Sequence, residues 1–198
     1  MRCAKGKRKE GILEAATRLF SECGYQNTDV QAIADAVGLG KGTIYLYFPS
    51  KEALFFAAVD RAMSQVEAFV GKRIGSASDT VSLIKEIVRA YVDFFRKHPH
   101  MIELFVQERA VFRFRKSGSY QQKKEEREAK WTRIFEKLLL EGKLRFKNIP
   151  RIINTIHQLF YGVIFTNIFQ ADEASFETRM TEGMDMILFG ILLPEGSL

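Results

Sequence analysis

The sequence predicts an all-α protein: an N-terminal three-helix helix-turn-helix domain over residues 1–52, then a helical bundle over residues 53–198. About nine helices are expected in total. Three observations carry this expectation. Apolar residues fall at helical spacing along almost the whole chain. No alternating run reads as a strand. There are only four prolines and few polar low-complexity runs, and 46% hydrophobic content over 198 residues is enough to build a core.

The elements can be taken in order. Ile12, Leu13, Ala16, Leu19 and Phe20 share one helical face over residues 7–23, and Gly24 stands where a helix end needs it. In "TDVQAIADAVG", Thr28 with Gln31 three residues on reads as a capping box. Val30, Ile33, Ala34 and Val37 then give a short amphipathic helix ending at Gly38. Lys41 opens the next helix, held by Ile44 and Phe48 and stopped by Pro49. Ser50 caps a longer helix running to about Val70, and residues 71–79, "GKRIGSASD", break it. Further helices are expected over residues 81–97, 101–115, 120–141, 150–169 and 175–192, with Pro150 in a first turn.

The stretch "GLGKGTIYLYFPSKEAL" invites a phosphate-loop reading, which fails. A Walker-type loop needs Gly, four residues, then Gly-Lys-Ser/Thr after a strand. Here Asp35 occupies the first glycine position, Gly42 follows Lys41, and a helix precedes. Two short helices joined by a tight glycine turn are instead helix-turn-helix spacing. Seven residues make a helix ~10 Å long, which fits a major groove about 12 Å wide. Ile44 and Phe48 face inward, leaving Lys41, Gly42, Thr43, Tyr45 and Tyr47 outward. Gly42 allows close backbone approach, Thr43 suits base edges, and Lys41, Tyr45 and Tyr47 suit phosphates. Thr28 and Lys51 lie at helix N-termini that favour phosphate.

The segment from Ile12 to Phe55, with "AA..LF", "GY..T.V..IA" and "G..KGT.Y.YF.SKE.L", resembles the DNA-binding domain of TetR-family transcriptional regulators. The resemblance implies an all-helical homodimer, double-stranded DNA with a palindromic operator as partner, and release by a small molecule. It places DNA contacts on Thr28, Gly40, Lys41, Gly42, Thr43, Tyr45, Tyr47 and Lys51. Gly40 departs from the small polar residue many members carry there, so a hydroxyl contact to phosphate is lost while the backbone N–H remains.

A net charge of +6 agrees with a polyanionic partner. Residues 1–11 carry five basic residues against Glu10 and read as a nucleic-acid arm; the basic stretch 109–133 reads as a solvated helix face. Cys3 and Cys23 have neither metal nor disulfide-framework spacing, and the longest apolar runs are too short to span a bilayer. A cytoplasmic location, no membrane association, no cofactor and no metal site are expected. His98 and His100, flanking Pro99, read as ordinary residues beside a helix break.

In the C-terminal bundle, residues 150–169 are apolar nearly all round and must be largely buried. Pairing this helix and the last one with a second copy predicts a dimer interface including Ile156, Phe160, Val163, Met184, Ile187, Leu188 and Ile191. A pocket for an apolar or amphipathic effector is expected among Tyr91, Phe94, Phe95, Phe105, Trp131, Phe135, Tyr161 and Phe165, with Gln107 and His157 as polar handles. Aromatics at this spacing also serve simply as core. No nucleophile–base pair or metal-ligand cluster supports an enzyme. The expected function is a DNA-binding regulator, most naturally a repressor released by its ligand; a ligand-independent dimeric DNA-binding protein and an enzyme fused to a DNA-binding module are the alternatives.

Overall fold

The computed structural model describes residues 2–73, 79–111, 118–167 and 176–192, with the side chains of residues 2–5, 118–124, 127, 161, 164–167 and 176–177 outside the description. Among the described residues the chain is all-helical: α1 (Arg2–Asn27), α2 (Val30–Ala36), α3 (Lys41–Tyr47), α4 (Lys51–Arg73), α5 (Thr80–Lys97), α6 (His100–Val111), α7 (Gly118–Leu140), α8 (Ile149–Asn167) and α9 (Phe176–Ile191). The only strand-like feature among them is an isolated bridge between Leu144 and Leu192. No described helix is long and apolar enough to cross a membrane.

The chain divides into two compact units, Met1–Ala68 with Lys97–Arg115, and Phe69–Arg96 with Lys116–Leu198. The unit that contains residues 1–52 therefore also takes in most of α4 and the whole of α6.

In the first unit, α1 supplies the buried face Ile12, Leu13, Ala16 and Phe20. Phe20 is wholly buried and meets the ring of Phe55 edge-on at 5.1 Å; Tyr25 meets the same ring at 5.0 Å. Val30, Ile33 and Ala34 of α2, Ile44 of α3 and Leu54 of α4 complete the core. Gly24 interrupts α1 with φ 82° and ψ 156°, a region open essentially to glycine alone. Substituting alanine there strains the backbone, with an expected loss of about 1–3 kcal/mol, measurable by urea denaturation.

The second unit is built on Ile84 and Val88 of α5, Phe135 and Leu138 of α7, Ile152, Ile153 and Ile156 of α8, and Met184 and Leu188 of α9. The start of α5 is capped by Asp79, whose carboxylate accepts from the N–H groups of Val81 and Ser82. The end of α7 closes on Gly142 (φ 69°), with Gly142 N–H donating to the Leu139 carbonyl and Lys143 N–H to the Leu138 carbonyl. Helices α8 and α9 approach closely at Gly183, where an added Cβ would stand 3.1 Å from a methyl of Leu159.

Candidate nucleic-acid interface

The turn between α2 and α3 follows from its residues. Gly38 adopts φ 66°, which lets its N–H reach the Asp35 carbonyl and lets Leu39 N–H reach the Ala34 carbonyl at 2.9 Å. This pair of hydrogen bonds closes α2 and fixes the angle at which the chain re-enters a helix. Gly40 then occupies the N-cap of α3 in extended geometry with no side-chain hydrogen bond, as a residue without a hydroxyl must.

One expectation is corrected at the start of α2. The N-cap is Asp29, not Thr28: the Asp29 carboxylate accepts from Gln31 N–H at 2.9 Å. Thr28 is turned inward instead, its hydroxyl donating to the carbonyls of Gly24 at 2.7 Å and Leu19 at 3.1 Å. The helix begins one residue later because Thr28 is buried in the end of α1. Gln31 does not complete a capping box; its side-chain amide donates to Asp35.

Helix α3 presents the expected two faces. Ile44 is wholly buried and the C-cap residue Phe48 nearly so. On the other side Gly42 and Tyr45 are exposed, while Lys41, Thr43 and Tyr47 are half-buried. Leu46, at 84% exposure, is the most open large apolar residue of this helix. The sequence reading missed it because leucine counts as core by type. Its position, three residues after Thr43 and four after Gly42, places it on their face.

The charges around α3 are not idle. Lys41 Nζ lies 2.9 Å from Asp29 Oδ1, both at the surface. The Asp29 carboxyl is held below the usual carboxylate range, first by Gln31 N–H and then by Lys41; the Lys41 ammonium is held above its usual range, first by its hydrogen bond to Asp29. The Asp29 contribution is thus present above the ordinary carboxylate pKa and fades as pH falls through its lowered value. The Lys41 contribution is present below the ordinary lysine pKa and fades as pH rises through its raised value. The pair spans neutral pH intact. Lys51 is also engaged, its Nζ donating to the Gln26 carbonyl at 3.0 Å and standing 4.9 Å from the Tyr25 ring centre. Lys7, Arg8 and Lys9 at the front of α1 are exposed, and Lys9 Nζ stands 5.6 Å from the ring centre of Phe48.

The expected pocket and dimer residues are divided between core and half-open positions. Phe94, Phe95 and Phe135 are buried as packing residues, whereas Tyr91, Trp131 and His157 are half-buried. Tyr91 meets Phe160 edge-on and Trp131 stacks near Phe135. Phe105 and Gln107 belong to the first unit. Gln107, read as a ligand handle, has its amide committed to α1 and Glu103. The side chains of Tyr161 and Phe165 lie outside the described residues. Ile156, Met184 and Leu188, read as partner-facing, are spent on the chain's own core, while Phe160, Val163, Ile187 and Ile191 are half-buried. The open positions on the same helices include Gly162, Met186, Phe189 and Gly190. Among the described residues no group of three or more His, Cys, Asp or Glu is placed to hold a metal ion.

Helices α2 and α3 thus form a helix-turn-helix whose second helix has one buried and one open face. Residues 12–58 match the family of bacterial regulatory proteins described as the tetR family. Over 105 residues the chain is 32% identical to the HTH-type transcriptional regulator RutR of Escherichia coli, covering 53% of this chain and 49% of the relative. Over 107 residues it is 29% identical to the nucleoid occlusion factor SlmA of Actinobacillus pleuropneumoniae, covering 54% of this chain and 53% of the relative. The matches thus span about half the length of these curated relatives. The structure of a transcriptional regulator from Saccharomonospora viridis, in complex with choline, superposes with a TM-score of 0.79 at 17% identity, covering 96% of this chain and all of the other. That likeness extends the shared fold through the C-terminal helices.

Proposed function

We propose that the chain is a non-enzymatic, DNA-binding transcriptional regulator in which α3 enters the major groove. The observation that carries this reading is the division of α3 between a wholly buried Ile44 and an open face of Gly42, Tyr45 and Leu46 with the half-buried Thr43 beside them, behind a turn locked by Gly38. Thr43 and Leu46 are the base-reading residues, the leucine through contact with thymine methyl groups. Lys41, Tyr45, Tyr47, Lys51 and the N–H at Gly40 address phosphates, whereas Thr28, expected to do so, is buried with its N–H and hydroxyl both given to the end of α1.

The regulator acts as a homodimer on a palindromic operator. On α9, Met186, Phe189 and Gly190 fall at i, i+3 and i+4 and are all exposed, an apolar stripe apart from the one the chain buries itself. Gly162 on α8 is also open and lets a second copy approach closely. The division between residues 52 and 53 is one of function: residues 1–52 read DNA, and residues 53–198 dimerise and bind an effector. The half-buried Tyr91, Trp131 and His157 line that site. Repression relieved by an apolar or amphipathic molecule is the mode of action.

Fluorescence anisotropy with a labelled duplex tests the DNA reading. Lys51→Ala is expected to weaken binding uniformly across sequences, while Thr43→Ala relaxes sequence preference. An unchanged affinity in both variants would remove α3 and the start of α4 from the interface. Asp29→Asn keeps a capping side chain but releases Lys41, so duplex affinity is expected to rise about two- to five-fold at low salt. Effector binding is read by thermal melting against acyl-CoAs, fatty acids, cationic dyes and neutral aromatics; a ligand at about 100 times its Kd adds ~2.7 kcal/mol.

The resemblance to a nucleoid occlusion factor favours one second reading, a dimeric DNA-binding protein without a small-molecule effector. Operator binding that no member of the panel changes would support it.

A further inference from the structure

We propose that Gln107 on α6 is a positioning residue of the DNA-reading unit, gripping α1 across its kink and so setting where α2 and α3 stand. The inference rests on the DNA-binding reading above and adds to it a residue well outside the helix-turn-helix and beyond the matched stretch 12–58.

The grip is made by one amide. Gln107 Oε1 accepts from Tyr25 N–H at 2.7 Å, on the far side of Gly24. Gln107 Nε2 donates to the Phe20 carbonyl at 3.2 Å, on the near side. Its second N–H goes to Glu103 Oε1 at 2.9 Å, one turn earlier on α6. That carboxylate fixes which end of the amide is which: the nitrogen faces Glu103 and Phe20, and the oxygen is left to face Tyr25. The kink needs such a partner because glycine adopts this conformation no more readily than many others, so its own backbone does not fix the direction the chain takes.

Beyond the kink lies the entrance to the DNA-reading helices. Thr28 N–H and hydroxyl both donate to the Gly24 carbonyl, and Lys51 Nζ donates to the Gln26 carbonyl. Asp29 then caps α2 and holds Lys41 at the start of α3. A change in direction at Tyr25 is therefore handed on, through Thr28 and contacts within one unit, to Lys41 and Lys51, which address DNA.

Two variants of the full chain test this. Gln107→Leu removes both hydrogen-bonding ends at nearly the same volume. It is expected to speed hydrogen exchange of the Tyr25 amide at least about five-fold, the equivalent of one net hydrogen bond, and to weaken duplex binding at unchanged helicity. Gln107→Glu keeps the acceptor for Tyr25 but sets a second carboxylate against Glu103. Near pH 8 both are ionised and repel, and the variant should bind duplex more weakly than the wild type. Towards pH 5 the pair takes up a shared proton, which restores a donor, and the ratio of wild-type to variant affinity should narrow. A mere packing defect gives no such pH-dependent rescue.

Tyr25 exchange unchanged in Gln107→Leu, or a Gln107→Glu defect equal at every pH, overturns the proposal. Should Gln107→Leu fail to fold, the pH series of Gln107→Glu decides. If the wild type itself binds no duplex, the DNA reading fails, and Tyr25 exchange still decides whether the amide grips the kink.

Discussion

Replacing Met186 and Phe189 together with glutamate is expected to turn the proposed dimer into a monomer and to lower affinity for the proposed operator by about 10²–10⁴-fold. Both side chains are roughly three-quarters exposed on α9 and make no contribution to the second unit's buried core. Four carboxylates brought into one two-fold interface, two from each copy, repel strongly and lose their hydration. Two linked half-site readers bind far more tightly than either alone, so loss of the pairing removes most of the affinity without touching α3. Analytical ultracentrifugation reads the first effect and duplex titration the second. A variant that remains dimeric, or a monomer that binds as tightly as the wild type, would move the partner surface elsewhere. The nearby Met184→Ala should behave differently: this residue is buried in the chain's own core, so its loss lowers stability by about 2–5 kcal/mol rather than dissociating copies.

The second large effect is expected at Phe20. Its ring is wholly buried and packs edge-on against Phe55, with the Tyr25 ring stacked near it. Truncation to alanine removes this contact between α1 and α4 and leaves a cavity that neighbouring rings fill only partly. The expected loss is about 3–5 kcal/mol, a large share of the stability of a domain this size. Chemical denaturation followed by far-UV circular dichroism measures it, and duplex binding should disappear with the fold of the first unit. By contrast Leu46→Ala should leave the denaturation midpoint unchanged, since the side chain is mostly open to solvent, while weakening binding at particular base pairs.

Much of this was legible in the sequence because helices announce themselves by period. The faces led by Ile12 and Phe20, by Ile33 and by Ile44 bury most of the residues their spacing selects, with Leu19 and Val37 only half-buried. The turn was legible for the same local reason: Gly38 sits where a positive φ is required. The start of α2 was misplaced by one residue because Thr28 and Asp29 are both competent caps. Only the tertiary burial of Thr28 decides between them. Contacts between distant segments were not legible at all. Nothing in the pattern of α6 tells that Gln107 meets Tyr25, 82 positions away.

The apolar faces of α8 and α9 show a further limit. Periodicity states that a helix is buried on a given side, not by what. Ile156, Met184 and Leu188 belong to the chain's own core, and the exposed stripe through Met186 and Phe189 is displaced from them around α9. Leu46 was overlooked for the converse reason, an apolar side chain on a face that water or DNA must cover.

The central claim is that α3 reads base sequence as one half of a symmetric pair. Selection of bound duplexes from a randomised pool, by the purified protein, tests it most directly. The expected result is enrichment of an inverted repeat whose half-sites lie about one helical turn apart or a multiple of it, with the preference relaxed in Thr43→Ala and Leu46→Ala. A pool that emerges without sequence preference, or an enriched site that both variants select unchanged, would contradict the account.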